Sequence, residues 1–275
     1  MNPHLQHPAT PYEMFMSFWR NRSLIAQLTR REVVGRYRGS VLGLAWSFFN
    51  PLLMLTVYTF VFSFVFKARW NTGSDSKGEF ALVLFIGMIV HGLFAECANR
   101  APGLLLGNIS YVKKVVFPVE ILPWNVMGSA IFHAVVSLLV WLLFYIAIDF
   151  QIHWTVIFVP LIFLPLVIFT MGVSWFLASL GVYLRDIGQI IGVITTVMLF
   201  LAPVFYPITN IPMPYRSLLY ANPLTFIIEQ ARDVLMLGQQ PDWAGFSIYT
   251  VISFVVAWAG YAWFQKTRKG FADVL

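Results

Sequence analysis

Residues 41–66 run for 26 positions without a formal charge, and residues 121–148 and 154–184 do the same over longer stretches. A helix of about 20 apolar residues crosses the hydrocarbon core of a bilayer, so each of these runs is long enough to span it. Three further stretches complete the set: 80–98, weakened by His91 and Glu96, then 187–206 and 246–264. The composition agrees, because only 11% of the 275 residues are charged and 59% are hydrophobic, against about 25% and 45–50% in soluble domains. The expected fold class is therefore an all-α integral membrane protein with six transmembrane helices. Residues 1–40 form a tail before the helical domain, which occupies 41–265, and residues 266–275 form a second tail.

Lys and Arg set the orientation. With both termini in the cytoplasm, the inner segments hold 13 of the 18 basic residues and the outer segments hold Lys67, Arg69, Lys77, Arg216 and Arg232. The acids divide equally, so the inner side carries +7 and the outer side −1. The expected topology is N-in, C-in. On this reading the net charge of +6 reflects orientation and not nucleic-acid binding.

Three segments are not simple spans. Residues 13–38 are helical in pattern, with Met14, Phe18, Ile25 and Leu28 on one face and Arg20, Arg30 and Arg31 opposite. That pattern predicts an amphipathic helix lying in the cytoplasmic interface. Residues 99–123 lie inside and hold two lysines and three prolines; a short helix over 104–116, bounded by Pro102 and Pro118, is expected there. Residues 207–245 lie outside and are broken by five prolines. Within them Asn222 and Pro223 supply an N-cap and a first-turn proline, and Gly238 a stop, so 223–237 reads as a helix. Its apolar residues want burial, which predicts an outer re-entrant hairpin between spans 5 and 6 and makes it a gate candidate.

The sequence also excludes chemistry. It has no GxxxxGK[ST] and so no P-loop, and it has no HExxH or GxSxG and no paired metal-ligand motif. Cys97 is its single cysteine. No catalytic or metal site and no cofactor is expected in this chain. His91 and His133 fall inside spans, where a neutral histidine hydrogen-bonded to a neighbouring helix is the simpler reading. Glu96 is the one acid within a span, close to its end, which argues against proton-coupled transport and for an external energy source. Arg185 and Asp186 form a candidate ion pair at the inner turn before span 5.

Aromatic residues are in excess, with 26 Phe, 11 Tyr and 10 Trp. Most suit lipid contact and packing. Span 1, however, carries rings through its depth, among them Trp46, Phe49, Tyr58 and Phe60, and span 5 ends on Phe200, Phe205 and Tyr206. Flat apolar faces with polar handles suit the C–H faces of sugar rings, so these seven are candidates to line a substrate conduit.

Several stretches together resemble a known family. Arg31-Glu32, Arg36-Tyr37-Arg38-Gly39-Ser40, Leu42-Gly43-Leu44-Ala45-Trp46 and Asn50-Pro51-Leu52 resemble the approach to span 1 in polysaccharide-exporting ABC transporter permeases. Lys113-Lys114-Val115-Val116-Phe117-Pro118, Glu120 and Leu122-Pro123 resemble their inner loop, Tyr183 to Ile187 the turn before span 5, and Tyr220-Ala221-Asn222-Pro223 the outer region. The likeness runs from about residue 13 to 266 and sits nearest the O-antigen exporters, with capsule and teichoic-acid exporters close behind. It implies a homodimer with two copies of a separate nucleotide-binding subunit, which would carry ATP and Mg. It further implies a glycan on undecaprenyl diphosphate as substrate, moved outward across a bacterial inner membrane. On that basis Arg20, Arg22, Arg30, Arg31, Arg36 and Arg38 are candidates to recruit the lipid diphosphate. Leu104, Leu105, Leu106, Tyr111, Lys113, Lys114 and Phe117 would couple to the ATPase. Asn222, Pro223, Phe226, Ile227, Glu229 and Arg232 would form the outer gate. A small-molecule or lipid exporter is the alternative within transport, and a membrane-embedded glycosyl- or acyltransferase lacks the catalytic pair it would need.

Overall fold

The computed structural model describes residues 8–65, 78–113, 117–149 and 152–275, and the regular structure in those residues is all helical. The chain runs through α1 (Pro11–Arg36), α2 (Trp46–Tyr58, continued by a π-helical turn at Thr59–Val65), α3 (Glu79–Arg100), α4 (Ile109–Lys113) and α5 (Leu122–Asp149). It continues through α6 (Val159–Tyr183), α7 (Ile187–Phe200), α8 (Met213–Tyr220), α9 (Pro223–Leu235), α10 (Trp243–Thr267) and α11 (Phe271–Val274). Five stretches are long and apolar enough to cross a membrane: Gly43–Phe62, Glu79–Gly103, Val119–Ile148, Trp154–Tyr183 and Trp243–Val274.

The stretch expected as a fifth span, 187–206, is helical only over the 14 residues of α7. At 1.5 Å per residue that is about 21 Å, short of a full crossing. Pro203 explains the stop, since it has no N–H to donate and its ring collides with the carbonyl four residues back. From Leu201 to Tyr206 the chain turns instead.

α3 is the hub. Fifteen of its residues are buried, from Phe80 through Ala98, as expected of a helix that is apolar all round. It packs against α5, α6, α7 and α9. α6 and α10 make the closest helix pair through Gly172 and Gly260, where a Cβ on Gly260 would overlap the Gly172 carbonyl. Small residues at that crossing let the two backbones touch, which is how helices gain dispersion contacts in lipid.

α1 starts at Thr10, whose hydroxyl accepts from the Glu13 N–H at 3.2 Å. Its stripe of Met14, Ile25 and Leu28 is buried as the pattern predicts. Much of what covers it is protein: Ile25 and Leu28 meet Ile121, and Phe18 meets Trp124 with ring centres 4.5 Å apart. A second apolar face, Tyr12, Phe15 and Trp19, stays exposed. After α1 the chain reverses through Gly39 (φ 88°) and Gly43 (φ 52°) into α2, at backbone angles few residues other than glycine adopt.

In place of the single helix expected over 104–116, the described residues 104–113 hold two short pieces, Leu106–Asn108 and α4, with Gly107 interrupting the pattern; 114–116 lie outside the described residues. The ion pair expected between Arg185 and Asp186 is also missing: both side chains are exposed, and among the described residues neither joins an ion pair. Asp186 instead begins α7 with its backbone carbonyl, which accepts from Gln189 at 3.0 Å.

Candidate functional site

At the end of α1, Arg36 reaches across to α3 and α5. Its Nη2 donates to Glu96 Oε1 at 2.5 Å, and its Nη1 lies 3.1 Å from His133 Nδ1. His133 Nδ1 is also 3.0 Å from Glu96 Oε2, and its Nε2 is 3.2 Å from the Tyr37 hydroxyl. The consistent assignment has Nδ1–H donating to Glu96 and Nε2 accepting from Tyr37, with Arg36 Nη1 3.4 Å from that second nitrogen. Arg100, one helical turn along α3, brings Nη1 to 3.5 Å from the same Glu96 oxygen and pairs with Glu32 of α1. Three elements are thus tied by one group of six charged or protonable side chains. Above it lies a pocket of about 250 Å³ between α2, α3 and α5, walled by Met54, Tyr58, Met88 and Leu93, with Glu96 and His133 at its polar end. His91 behaves differently, its Nε2 placed 2.9 Å from the Thr195 carbonyl of α7, the histidine-to-neighbouring-helix bond expected of it.

The six arginines expected to act together are in different circumstances. Arg20 is 2.7 Å from Glu13, Arg22 lies over the Trp19 ring at 4.9 Å, and Arg31 donates to the Tyr111 hydroxyl at 3.3 Å. Arg36 is held as described. Arg30 and Arg38 have no side-chain hydrogen bond or ion pair among the described residues.

The conduit candidates split into two groups. Trp46 and Phe49 lie in the first turns of α2, where Phe49 meets Phe48 edge to face. Tyr58 lies at the other end of α2 beside Phe62, and Phe62 stacks on Phe80 and on Phe205, which stacks on Phe200. This file of rings joins α2, α3 and the turn after α7. Phe60 and Phe200 remain 60% exposed. On α2, Phe48, Phe49, Leu53, Met54, Val57 and Phe60 face outward, and on α7 so do Ile190, Val193, Ile194 and Val197.

Carbonyls freed at the end of α7 are taken up by residues of the outer segment. The Tyr206 hydroxyl donates to Phe200 O at 2.6 Å, and Asn222 Nδ2 donates to Met198 O at 2.8 Å. Arg232, buried on α9, donates to Pro203 O at 2.5 Å, Val204 O at 3.1 Å and Val83 O of α3 at 3.1 Å. Asn222 Oδ1 also caps α9 at the Leu224 N–H, and Gly238 (φ 64°) follows the helix as the expected stop. Phe226 stacks on Tyr249, Ile227 is fully buried, Pro223 opens the helix, and Glu229 is half-buried beside it. The gate candidates therefore form an element packed into the core, not a loose flap.

The family model for the ABC-2 type transporter matches residues 23–236. The chain belongs to that family. It is 28% identical over 254 residues to the O-antigen export system permease protein RfbA of Myxococcus xanthus, covering 92% of this chain and 95% of that protein. The polysialic acid transport protein KpsM of Escherichia coli is 21% identical over 246 residues, with 89% and 93% covered. The capsule polysaccharide export inner-membrane protein CtrC of Neisseria meningitidis serogroup B is 25% identical over 223 residues, with 78% and 82% covered. These relatives are transporter permeases and not enzymes, and the present chain is a multi-pass protein of the bacterial inner membrane.

In this ABC-2 permease the inner loop is fastened as well as exposed. Leu104 and Leu105 are buried, Leu106 is partly buried, and Tyr111 stacks on Phe117 with ring centres 4.5 Å apart. Lys113 is exposed with Ile109 and Ser110, while Lys114 lies outside the described residues. Glu120, which the sequence offered only through the family resemblance, is buried and holds this region both to α1 and to the segment after α10. Glu120 accepts from Ser17 of α1 at 3.2 Å and from Arg268, beyond α10, at 2.8 Å. The Glu120 carbonyl accepts from Trp175 of α6 at 2.9 Å. A buried carboxylate needs such partners, and a lone Glu between two prolines was the signal that could have found it.

Proposed function

We infer that this chain is the membrane subunit of an ATP-driven exporter that moves a lipid-linked polysaccharide outward. The cargo is an O-antigen-like glycan on undecaprenyl diphosphate. What supports this most is the likeness to the O-antigen export permease along 92% of the chain, combined with ring-bearing helix faces that the protomer leaves uncovered. Two copies would pair through the open faces of α2 and α7 and enclose a conduit edged by Phe49, Phe60 and Phe200. Both termini would lie inside, as the Lys and Arg distribution demands. α7 with its turn would supply a sixth, incomplete crossing, and α8–α9 the outer hairpin.

No residue of this chain forms a P-loop, so ATP and Mg would bind two copies of a separate nucleotide-binding subunit. That subunit would press on the exposed side of α4 around Ile109, Ser110 and Lys113. Glu120 and Arg268 would pass the push to α1, α6 and the end of α10 together. A second reading, capsule export, has the likeness to KpsM and CtrC behind it and differs only in the glycan.

The test is affinity purification of the tagged protein from its native membrane in mild detergent. Recovery of a Walker-motif ATPase at one copy per copy supports the exporter. A homo-oligomer without ATPase, from membranes that still export glycan, refutes it. Complementation of a strain lacking its own O-antigen permease then distinguishes the two glycan classes.

A further inference from the structure

We propose that Glu96 is the internal occupant of a phosphoryl-anion site built by Arg36, Arg100 and His133, and that the carrier lipid's diphosphate takes its place. The proposal rests on the export reading above, which supplies the diphosphate. The geometry supplies the site. One carboxylate gathers two guanidinium groups and an imidazole within 2.5 to 3.5 Å. Guanidinium forks converging on a single anion are how proteins hold phosphate, and a carboxylate is the side chain that best imitates it.

The site is also incompletely filled by its own residues. Arg100 Nη1 has its 3.5 Å ion contact with Glu96 but no hydrogen bond, and the hydroxyl of Ser129, a residue that is 0% exposed, has none either. Ser129 sits one turn before His133 on α5, and Asn125, another turn back on the same face, has an unpartnered Oδ1. Thr29 of α1 has an unpartnered Oγ1 where Gly128 of α5 approaches it. Buried polar atoms left unpaired are costly, so the α1–α5 seam that runs up to His133 keeps polar capacity that the chain itself does not use. Access exists, because the Arg36 side chain is 35% exposed and the pocket between α2, α3 and α5 opens onto Glu96.

A carboxylate offers one negative charge and a diphosphate more, so two arginines and a histidine favour the incoming ligand. Exchange has a mechanical consequence. Arg36 is the last residue of α1 and Glu96 belongs to α3, so releasing Glu96 removes one of the two ties between α1 and the hub, leaving Arg100–Glu32, and hands the arginine that leads into α2 to the substrate.

The experiment uses the purified full-length protein in nanodiscs and inorganic pyrophosphate as probe. Glu96→Gln keeps the side-chain shape but removes the competing charge, and it should bind pyrophosphate about tenfold tighter than wild type, a 1.4 kcal/mol gain. Glu96→Asp should restore wild-type affinity, and Arg36→Ala and Arg100→Ala should each lose binding. Glu96→Gln binding no tighter than wild type, or Arg36→Ala binding unchanged, overturns the proposal. Should Glu96→Gln fail to fold, His133→Gln decides: weakened pyrophosphate binding supports the site, and unchanged binding overturns it. Vesicles separate the ligand sources. Displacement of pyrophosphate by polyprenyl diphosphate but not by phosphatidylglycerol supports the carrier, and equal displacement overturns that assignment. Glycan export, measured in cells, stands apart: export without pyrophosphate binding sinks this proposal alone, and absence of export with binding intact sinks the export reading.

Discussion

Replacing Arg232 by Met tests whether the turn after α7 is fastened to α9 and α3 as the structure indicates. The guanidinium serves three carbonyls from two elements, Val83 on α3 and Pro203 and Val204 after α7. Val83 lies inside a helix, where its carbonyl also belongs to the helical ladder. Pro203 and Val204 lie in the turn, and among the described hydrogen bonds no other donor reaches their carbonyls. Met fills most of the volume and donates nothing, so two buried carbonyls are orphaned at about 1–3 kcal/mol each. Relief from burying a guanidinium, whose charge burial disfavours, trims the sum to about 2–5 kcal/mol. For a chain of this size that is an apparent melting shift of about 5–15 °C, read by size-exclusion chromatography after heating in detergent. Arg232→Lys keeps the charge, but one ammonium cannot serve diverging carbonyls, so it should fall between. A melting point for Arg232→Met within about 2 °C of wild type, under 1 kcal/mol on that scale, would refute the reasoning.

Gly260→Leu drives a side chain into the Gly172 backbone, which cannot yield as a side chain would, so it should cost at least about 3 kcal/mol and leave little monodisperse protein, with Gly260→Ala milder. Glu120→Ala should cost about 2–4 kcal/mol by stranding the partly buried Arg268; in a double-mutant cycle Glu120→Ala with Arg268→Ala together should cost no more than Glu120→Ala alone. Burial, with Asp233 adding to it, raises the pKa of Glu229, so its ionisation costs stability once pH passes the unfolded value of about 4.3, and nothing below it. Glu229→Gln should therefore melt with wild type at pH 4 and above it at pH 7.

Charge-free runs made the helices legible, because hydrocarbon leaves a chain no cheaper way to bury its peptide groups. Where the reading went astray, a local breaker outweighed hydropathy: Pro203 cuts 187–206 short, and Gly107 interrupts 104–113, the described part of 104–116. The apolar stripe of α1 was visible as a period, but a period does not name what covers it, and here Ile121 and Trp124 of the protein share that role. The sites were less legible. Glu96, His133 and Arg36 are 37 and 60 positions apart in sequence from one another at the nearest pairings, and only the packing of α1 on α5 and of α3 on α5 brings them together. Asn222 was readable as a cap from its own neighbours. Its second bond, to Met198, depends on α7 ending where it does.

The same packing also identifies the helix that can move. Over its most apolar window the stretch Glu79–Gly103 is 78% buried, whereas Gly43–Phe62 is 11% buried. In α2 only Ser47 and Leu55 are fully enclosed. Displacing α3 would break contacts with α5, α6, α7 and α9 together, while α2, packed mainly on α5, has far less contact within the protomer to break and so costs far less to displace. What restrains α2 is concentrated at its ends: the Gly39–Gly43 reversal tied through Arg36 to Glu96, and the Phe62 stack on Phe80 and Phe205. Loosening the inner tie therefore has one cheap outlet. Hydrogen exchange in Glu96→Gln should rise in α2 and stay fixed in α3, and a rise in α3 instead would mean that the charged cluster holds the hub and not the helix beside it.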